Sequence, residues 1–186
     1  MDRRNEMSTI NFENGETIDF GNPEEVDKYE KSLTENTHSN YEICKNCGGG
    51  CCKYLPCGLS PSQIVSLGYE LTEESLTKCL ESGDYALDYW FDNFSEDDYY
   101  WYYIRYRAKG GLIADTNYIG TECVMLTDTG CKLPFDKRGI QGKSLKPVAG
   151  KHGCTGPIRR KEMGIIWKTY RSILGKLWNK YESESR

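Results

Sequence analysis

The chain has 186 residues, a net charge of −4, 38% hydrophobic residues and a mean hydropathy of −0.69. That length allows one domain with tails or two small units, and so modest an apolar share excludes a large core, the situation in which small domains recruit a metal or disulfides. No apolar run approaches the ~18 residues of a membrane span, and the stretch MDRRNEMSTINFENGET lacks the apolar core of a signal peptide, so the expectation is a cytoplasmic chain, off the membrane, with reduced thiols.

Charge is unevenly spread. Residues 1–43 are acidic, with Glu24, Glu25, Asp27 and Glu30 close together, whereas residues 158–186 carry Arg159, Arg160, Lys161, Lys168, Arg171, Lys176 and Lys180. Residues 1–40 are polar and read as a flexible or loosely docked segment with one short helix near Pro23–Leu33. Residues 41–157 form the cysteine-cluster domain, and residues 158–186 a basic amphipathic helix packed on it.

Within the domain, Ser60-Pro61 supplies an N-cap and a first-turn proline, which predicts a helix over Pro61–Leu67 ended by Gly68. Thr72-Glu73-Glu74 opens a second helix to Ser82, with Gly83 just past its end and Leu76, Cys79 and Leu80 on its apolar face. The aromatic runs at 85–91 and 98–106 predict two strands paired across the acidic turn Asp92–Asp97. Cys123–Leu126 predicts a third strand, Thr127–Gly130 a turn and Cys131–Leu133 a fourth strand. Residues 134–156 are rich in glycine and proline and read as loop. From Thr155-Gly156-Pro157 one long helix is predicted to Lys180, with Met163, Ile166, Trp167, Tyr170, Ile173, Leu174, Leu177 and Tyr181 on a wide apolar face. The fold class that follows is α+β, a small metal-stapled domain of short antiparallel strands, short helices and a long C-terminal helix.

The chemistry lies in the cysteines. Five of the nine fall in the run CKNCGGGCCKYLPC between Cys44 and Cys57. An odd total in a reducing compartment argues for metal over a disulfide framework. The C-x-x-C pair Cys44 and Cys47 lets one tight turn place two thiolates on an ion, and Gly48, Gly49 and Gly50 let the backbone curl close. Cys51 and Cys52 are adjacent; on extended chain they point to opposite sides and serve two ions or two irons of a cluster. Cys57, Cys123, Cys131 and Cys154 complete a set of eight thiols, which suits two zinc ions or one iron–sulfur cluster with cysteines to spare. Cys79, inside an amphipathic helix, reads as a small core residue, and His38 as solvated. His152, two residues from Cys154, is a candidate ligand or a group supporting one.

Companion machinery for catalysis is missing. No P-loop, dinucleotide fingerprint or H-E-x-x-H occurs, and no βαβ pattern surrounds the C-x-x-C. Glu96-Asp97-Asp98 reads as a solubilising turn. The basic C-terminal helix is the candidate contact for an acidic protein or nucleic acid, although the overall acidity opposes a dedicated nucleic-acid binder.

The run Cys44, Cys47, Gly48, Cys51, Cys52 resembles the opening C-x-x-C-G-x-C-C of the YkgJ-type cysteine-cluster family, a zinc- or iron-chelating domain, with one more residue in the glycine stretch. The hairpin Cys123-Val-Met-Leu-Thr-Asp-Thr-Gly-Cys131 and the late Cys154 continue the resemblance over roughly residues 41–157. It implies a thiolate-bound metal centre, zinc or iron, with no assigned reaction. The flagellin lysine methylases resemble this family in their cysteine cluster, which keeps an enzymatic reading open. The chain departs from the pattern at Arg138–Lys143: the family's R-P-x-x-C-R element has no proline here, and Gly142 stands at its cysteine. Cys57 or His152 then replaces that ligand, or a coordination position stays open.

Overall fold

The computed structural model describes residues 9–12, 15, 17–19, 22–35, 50–92, 99–116, 119–146, 154 and 156–184. The fold is α+β, built of separate two-stranded antiparallel sheets surrounded by helices. Its centre is the hairpin of β3 (Tyr85–Asp92) and β4 (Tyr99–Tyr106), paired from Tyr85–Tyr106 to Asp92–Tyr99. Alternation along these strands gives the hairpin two different faces. One carries Tyr85, Leu87, Tyr89, Tyr102, Ile104 and Tyr106; the other carries Asp88, Tyr103, Arg105 and Trp101. Both outer edges are covered. Leu59 N–H donates to Ile104 O at 2.9 Å and Tyr106 N–H to Cys57 O at 3.0 Å, while Leu87 N–H donates to Ile113 O at 2.7 Å.

The described residues of the N-terminal segment form two strands and a helix. β1 (Thr9–Asn11) pairs with β2 (Thr17–Asp19), and α1 (Pro23–Glu35) follows, capped by Asn22, whose side-chain oxygen accepts from Glu24 N–H at 3.1 Å. Ile10, Phe12, Ile18, Val26 and Tyr29 are buried with the main core, and Phe12 stacks on Tyr29 at 5.2 Å. These few apolar residues dock the described part of the segment on the core.

The capping signals behave as their chemistry requires. α2 (Gly50–Tyr54) carries the adjacent cysteines, and α3 (Pro61–Ser66) starts at a Ser60–Gln63 capping box. α4 (Glu73–Glu81) starts at Thr72, whose hydroxyl accepts from Ser75 N–H, and buries Leu76, Cys79 and Leu80. Gly83, just past its end, takes φ +97°, open to glycine and strained for other residues.

Three expectations are corrected. Residues 123–125 are bridge and turn, so the cysteine hairpin shrinks to β5 (Leu126–Thr127) and β6 (Gly130–Cys131). The stretch read as loop holds a 3₁₀ turn at Phe135–Lys137 and α5 (Ile140–Lys143). The single C-terminal helix is broken into α6 (Arg160–Ile166), a 3₁₀ turn at Lys168–Tyr170 and α7 (Arg171–Glu184). The break is at Trp167, which leaves helical geometry at φ −92° and ψ 4°. Its fully buried indole N–H donates to Leu59 O at 2.7 Å. The change of direction lets α6 lie on the Asp88 face, with Gly164 against Trp101, and α7 on the opposite face, with Gly175 against Tyr102 and Trp178 against Tyr89. A straight helix reaches only one of them.

A buried charge network fastens α6 to the hairpin. Arg105 and Asp88 are both fully buried, with Nε and Oδ2 3.7 Å apart. Arg105 also donates to Tyr106 O at 2.9 Å and Asp115 O at 2.7 Å. Arg160 donates to Asp88 Oδ1 at 2.7 Å and Tyr89 O at 2.6 Å, and the Tyr103 hydroxyl donates to Asp88 Oδ2. Among the described residues no helix is long and apolar enough to cross a membrane.

Candidate metal centre

Four of the eight candidate cysteines come from four stretches of chain that the fold brings to one side of β4. Cys52 sits on α2, Cys57 on the segment lining β4, Cys123 at a bridge to Ala108, and Cys131 at the end of β6. α2 is held along the 120–123 segment, with Gly120 N–H on Tyr54 O at 3.0 Å and Cys123 N–H on Cys52 O at 2.7 Å. The cysteine hairpin follows at once, with Leu126 N–H on Cys123 O at 3.0 Å.

The thiols meet most closely at Cys131. The Cys52 thiol donates to its sulfur, and this contact, with Leu133 N–H and the Arg138 guanidinium, lowers the Cys131 thiol to about 6. Burial opposes that shift without cancelling it. Cys123 Sγ accepts Met125 N–H at 3.4 Å. The Tyr106 phenol faces Cys57, Cys123 and Cys131 together; burial, with the neighbouring sulfurs, pushes it far above its ordinary value. Its hydroxyl donates to Lys137 O at 3.2 Å.

The departure at Gly142 has a structural counterpart. A Cβ on Gly142 would lie 3.0 Å from Cys57 Sγ and 3.4 Å from Cys57 Cβ, so the Cys57 thiol already fills the space a side chain at 142 would enter. Two glutamines hold this register. Gln141 Oε1 accepts from Gly58 N–H at 2.8 Å, and Gln63 Oε1 accepts from Ile140 N–H at 2.7 Å. Gln63 Nε2 donates to Arg138 O at 2.8 Å. Arg138 Nε is tied to Leu133 O at 3.2 Å, which aims its guanidinium at Cys131. Neither glutamine, nor Tyr106, nor the role of Arg138 stood out in the sequence, because only the fold sets them against the cysteines.

The other candidates are distributed as follows. Cys44, Cys47, His38 and His152 lie outside the described residues, as does the side chain of Cys51. The backbone at Cys51 and Cys52 is helical, not the extended chain expected from the sequence. Cys154 is half-buried, and Gly156 beyond it packs on Ser144 and Leu145 at the end of α5. Cys79 is fully buried in the α4 core, where burial and then Asp84 push its thiol up to about 12, the behaviour of an inert packing residue. No disulfide joins the six described cysteines. Among the described residues, no three of His, Cys, Asp and Glu are close enough together to hold one ion.

Five of the seven basic C-terminal residues have contacts within the domain. Arg160 is on Asp88, Lys176 and Glu73 are 3.5 Å apart, Lys180 and Glu81 are 3.6 Å apart, Arg171 donates to Tyr100 O at 3.1 Å, and Lys161 lies over Trp90 at 5.5 Å. The donor set suits a soft, thiolate-preferring ion, and the N–H groups aimed at Cys131 and Cys123 are the kind that delocalise charge from bound thiolate. Comparison with family models, curated proteins and solved structures finds no match for this chain.

Proposed function

We propose that this chain is a cytoplasmic metal-binding protein in which zinc, held by cysteine thiolates, staples the domain and supports an interaction module. The observation that carries the reading is the contact of Cys52 with Cys131, residues far apart in sequence, beside Cys57, Cys123 and the shared Tyr106. Cys44, Cys47, Cys51 and Cys154 complete the proposed ligand set. The resemblance to the YkgJ-type cysteine-cluster family belongs to the same reading, with Cys57 taking the place of the cysteine expected at Gly142. When bound, zinc supplies cross-links between segments and, in small domains, folding free energy on the order of 10 kcal/mol per ion. This chain's own residues position the sulfurs: Arg138 and Leu133 orient Cys131, Met125 orients Cys123, and the two glutamines seat Cys57. An acidic protein or nucleic acid remains the proposed partner of the basic helix, and its binding would compete with the contacts that Arg160, Lys161, Arg171, Lys176 and Lys180 make within the domain.

A second reading is an iron–sulfur protein with redox or transfer chemistry. It is favoured by the hydrogen bonds to Cys131 and Cys123 sulfur, since such bonds tune cluster potentials. Metal analysis and an optical spectrum of anaerobically purified protein separate the two. Colourless protein with zinc supports the first reading; brown protein with iron and acid-labile sulfide supports the second. Cys47→Ser and Cys51→Ser are each expected to abolish soluble folded protein. Wild-type metal content and melting in both variants would sink the metal assignment.

A further inference from the structure

A second concavity lies where α1, α3, the 3₁₀ turn at Phe135–Lys137 and α5 meet. It has a volume of about 190 Å³, opens to solvent, and is lined by none of the described cysteines. Its walls are tied together. α3 starts at the Ser60–Gln63 capping box, and the Gln63 side chain crosses to the α5 side, where Oε1 accepts from Ile140 N–H at 2.7 Å and Nε2 donates to Arg138 O at 2.8 Å. That amide is committed to holding the walls. The groups that can meet a ligand are charged or hydroxylic: Lys137 and Lys143 of one sign, Asp27 and Asp136 of the other, with the Ser62 and Ser66 hydroxyls. Lys143 is only 7% exposed, an uncommon place for a lysine, whose charge is costly to hold away from water. Asp27 is exposed, and the side chains of Asp136 and Lys137 are 59% and 71% exposed, so these three form the rim. The Ser66 hydroxyl donates to Gln63 O at 2.7 Å, and its oxygen can still accept.

We infer that this cavity binds a small zwitterion, a free amino acid, with Lys143 taking the carboxylate and the rim aspartates Asp27 and Asp136 taking the ammonium. Two features select that class. The volume lies below the ~300–1,000 Å³ of pockets for drug-sized ligands and cofactors, which excludes a nucleotide and suits a molecule the size of an amino acid. The charges of the two lysines and two aspartates cancel. A simple anion therefore meets two carboxylates as well as two ammonium groups, and a simple cation fares no better. A ligand that carries both charges finds a partner for each. Leu59 and Leu67 supply an apolar stretch of wall for its side chain. The site is independent of a bound metal, because none of its groups is a candidate ligand.

The test is ligand-observed saturation-transfer NMR on the full chain with each of the common amino acids, followed by titration of the best binder. At least one amino acid is expected to receive saturation. The matching amine, which lacks the carboxylate, and the matching hydroxy acid, which lacks the ammonium, are each expected to bind about tenfold more weakly or worse, the loss of one charged hydrogen-bond partner. Lys143→Met should weaken the amino acid by a similar factor and leave the amine as it was. If that covered position does not tolerate the change, the double variant Asp27→Asn with Asp136→Asn, both at the rim, decides: it should weaken the amino acid and not the hydroxy acid. No saturation transfer to any amino acid, equal affinity for the amine or the hydroxy acid, or a rim variant that binds the amino acid as the parent does, overturns the proposal.

Discussion

Replacing Gly139 by alanine drives a methyl group into the Gly58 carbonyl oxygen and to 3.1 Å from its carbon. Both obstacles are backbone, so no side-chain rotation relieves the contact, and the 138–142 segment must move off the segment that carries Cys57. Moving apart loosens the bond from Gly58 N–H to Gln141 Oε1, now 2.8 Å, and that from Gln141 N–H to Gly58 O, now 3.3 Å. Overpacking of this kind costs about 1–3 kcal/mol, and each weakened buried hydrogen bond adds about 0.5–1.5 kcal/mol. A total near 3 kcal/mol lowers the melting temperature of a chain this size by roughly 6–12 °C. Gly68→Ala is the control. It has φ +91° and nothing within 4 Å of the added methyl, so it meets only the backbone penalty of about 1–2 kcal/mol. Thermal melting followed by circular dichroism compares the two variants. Equal melting temperatures would refute the claim that Gly139 seats the segment against Gly58.

Asp88→Ala leaves the buried Arg105 with the Asp115 carboxylate at 3.5 Å in place of two carboxylates, so a loss of about 3 kcal/mol is expected in urea unfolding; less than about 1 kcal/mol would mean the network does not fasten α6. The exposed pair Lys109–Glu122 is the contrast, and Glu122→Ala is expected to leave the urea midpoint unchanged. In metal-free folded protein, brief iodoacetamide treatment at neutral pH should label Cys131, lowered to about 6, and spare Cys79, raised to about 12, as read by peptide mass; preferential labelling of Cys79 would contradict the burial argument. The Cys131 thiol lies below its ordinary 9.0 when folded, so its contribution to stability is full above that value and is lost as pH falls through about 6. The melting temperature of the metal-free protein should therefore decline from pH 9 to pH 6 more steeply than that of Cys131→Ala, and parallel curves would remove this thiolate from the account.

Where the fold was legible, local chemistry decided it. Ser60-Pro61, Thr72, Gly68 and Gly83 act through their own backbones, so α3 and α4 begin and end close to where these residues place them. The β3–β4 hairpin was equally plain, because alternating aromatics serve two faces at once. Elsewhere distant partners overrode the local pattern. Helical spacing continues through Trp167, and only the bond from its indole to Leu59 O explains the break there. Gly139 and Gly142 suggested loop, yet both are small because Gly58 and Cys57 press against them within α5 and its approach. The cysteine spacing pointed to the thiol cluster, whereas Arg138 and Tyr106 became part of it only through packing between remote segments.

The meeting of Cys52 and Cys131 also bears on how the chain reaches its fold. The paired hairpins form from neighbours in sequence, but bringing these two thiols together closes a loop of about 80 residues, whose entropy must be lost before the contact gives anything back. A permanent link at this point would remove that freedom from the unfolded chain beforehand, by about 4.5 kcal/mol on a chain-entropy model. Stripping a metal bound there would give that freedom back, so the metal-free chain should fold more slowly than the loaded one.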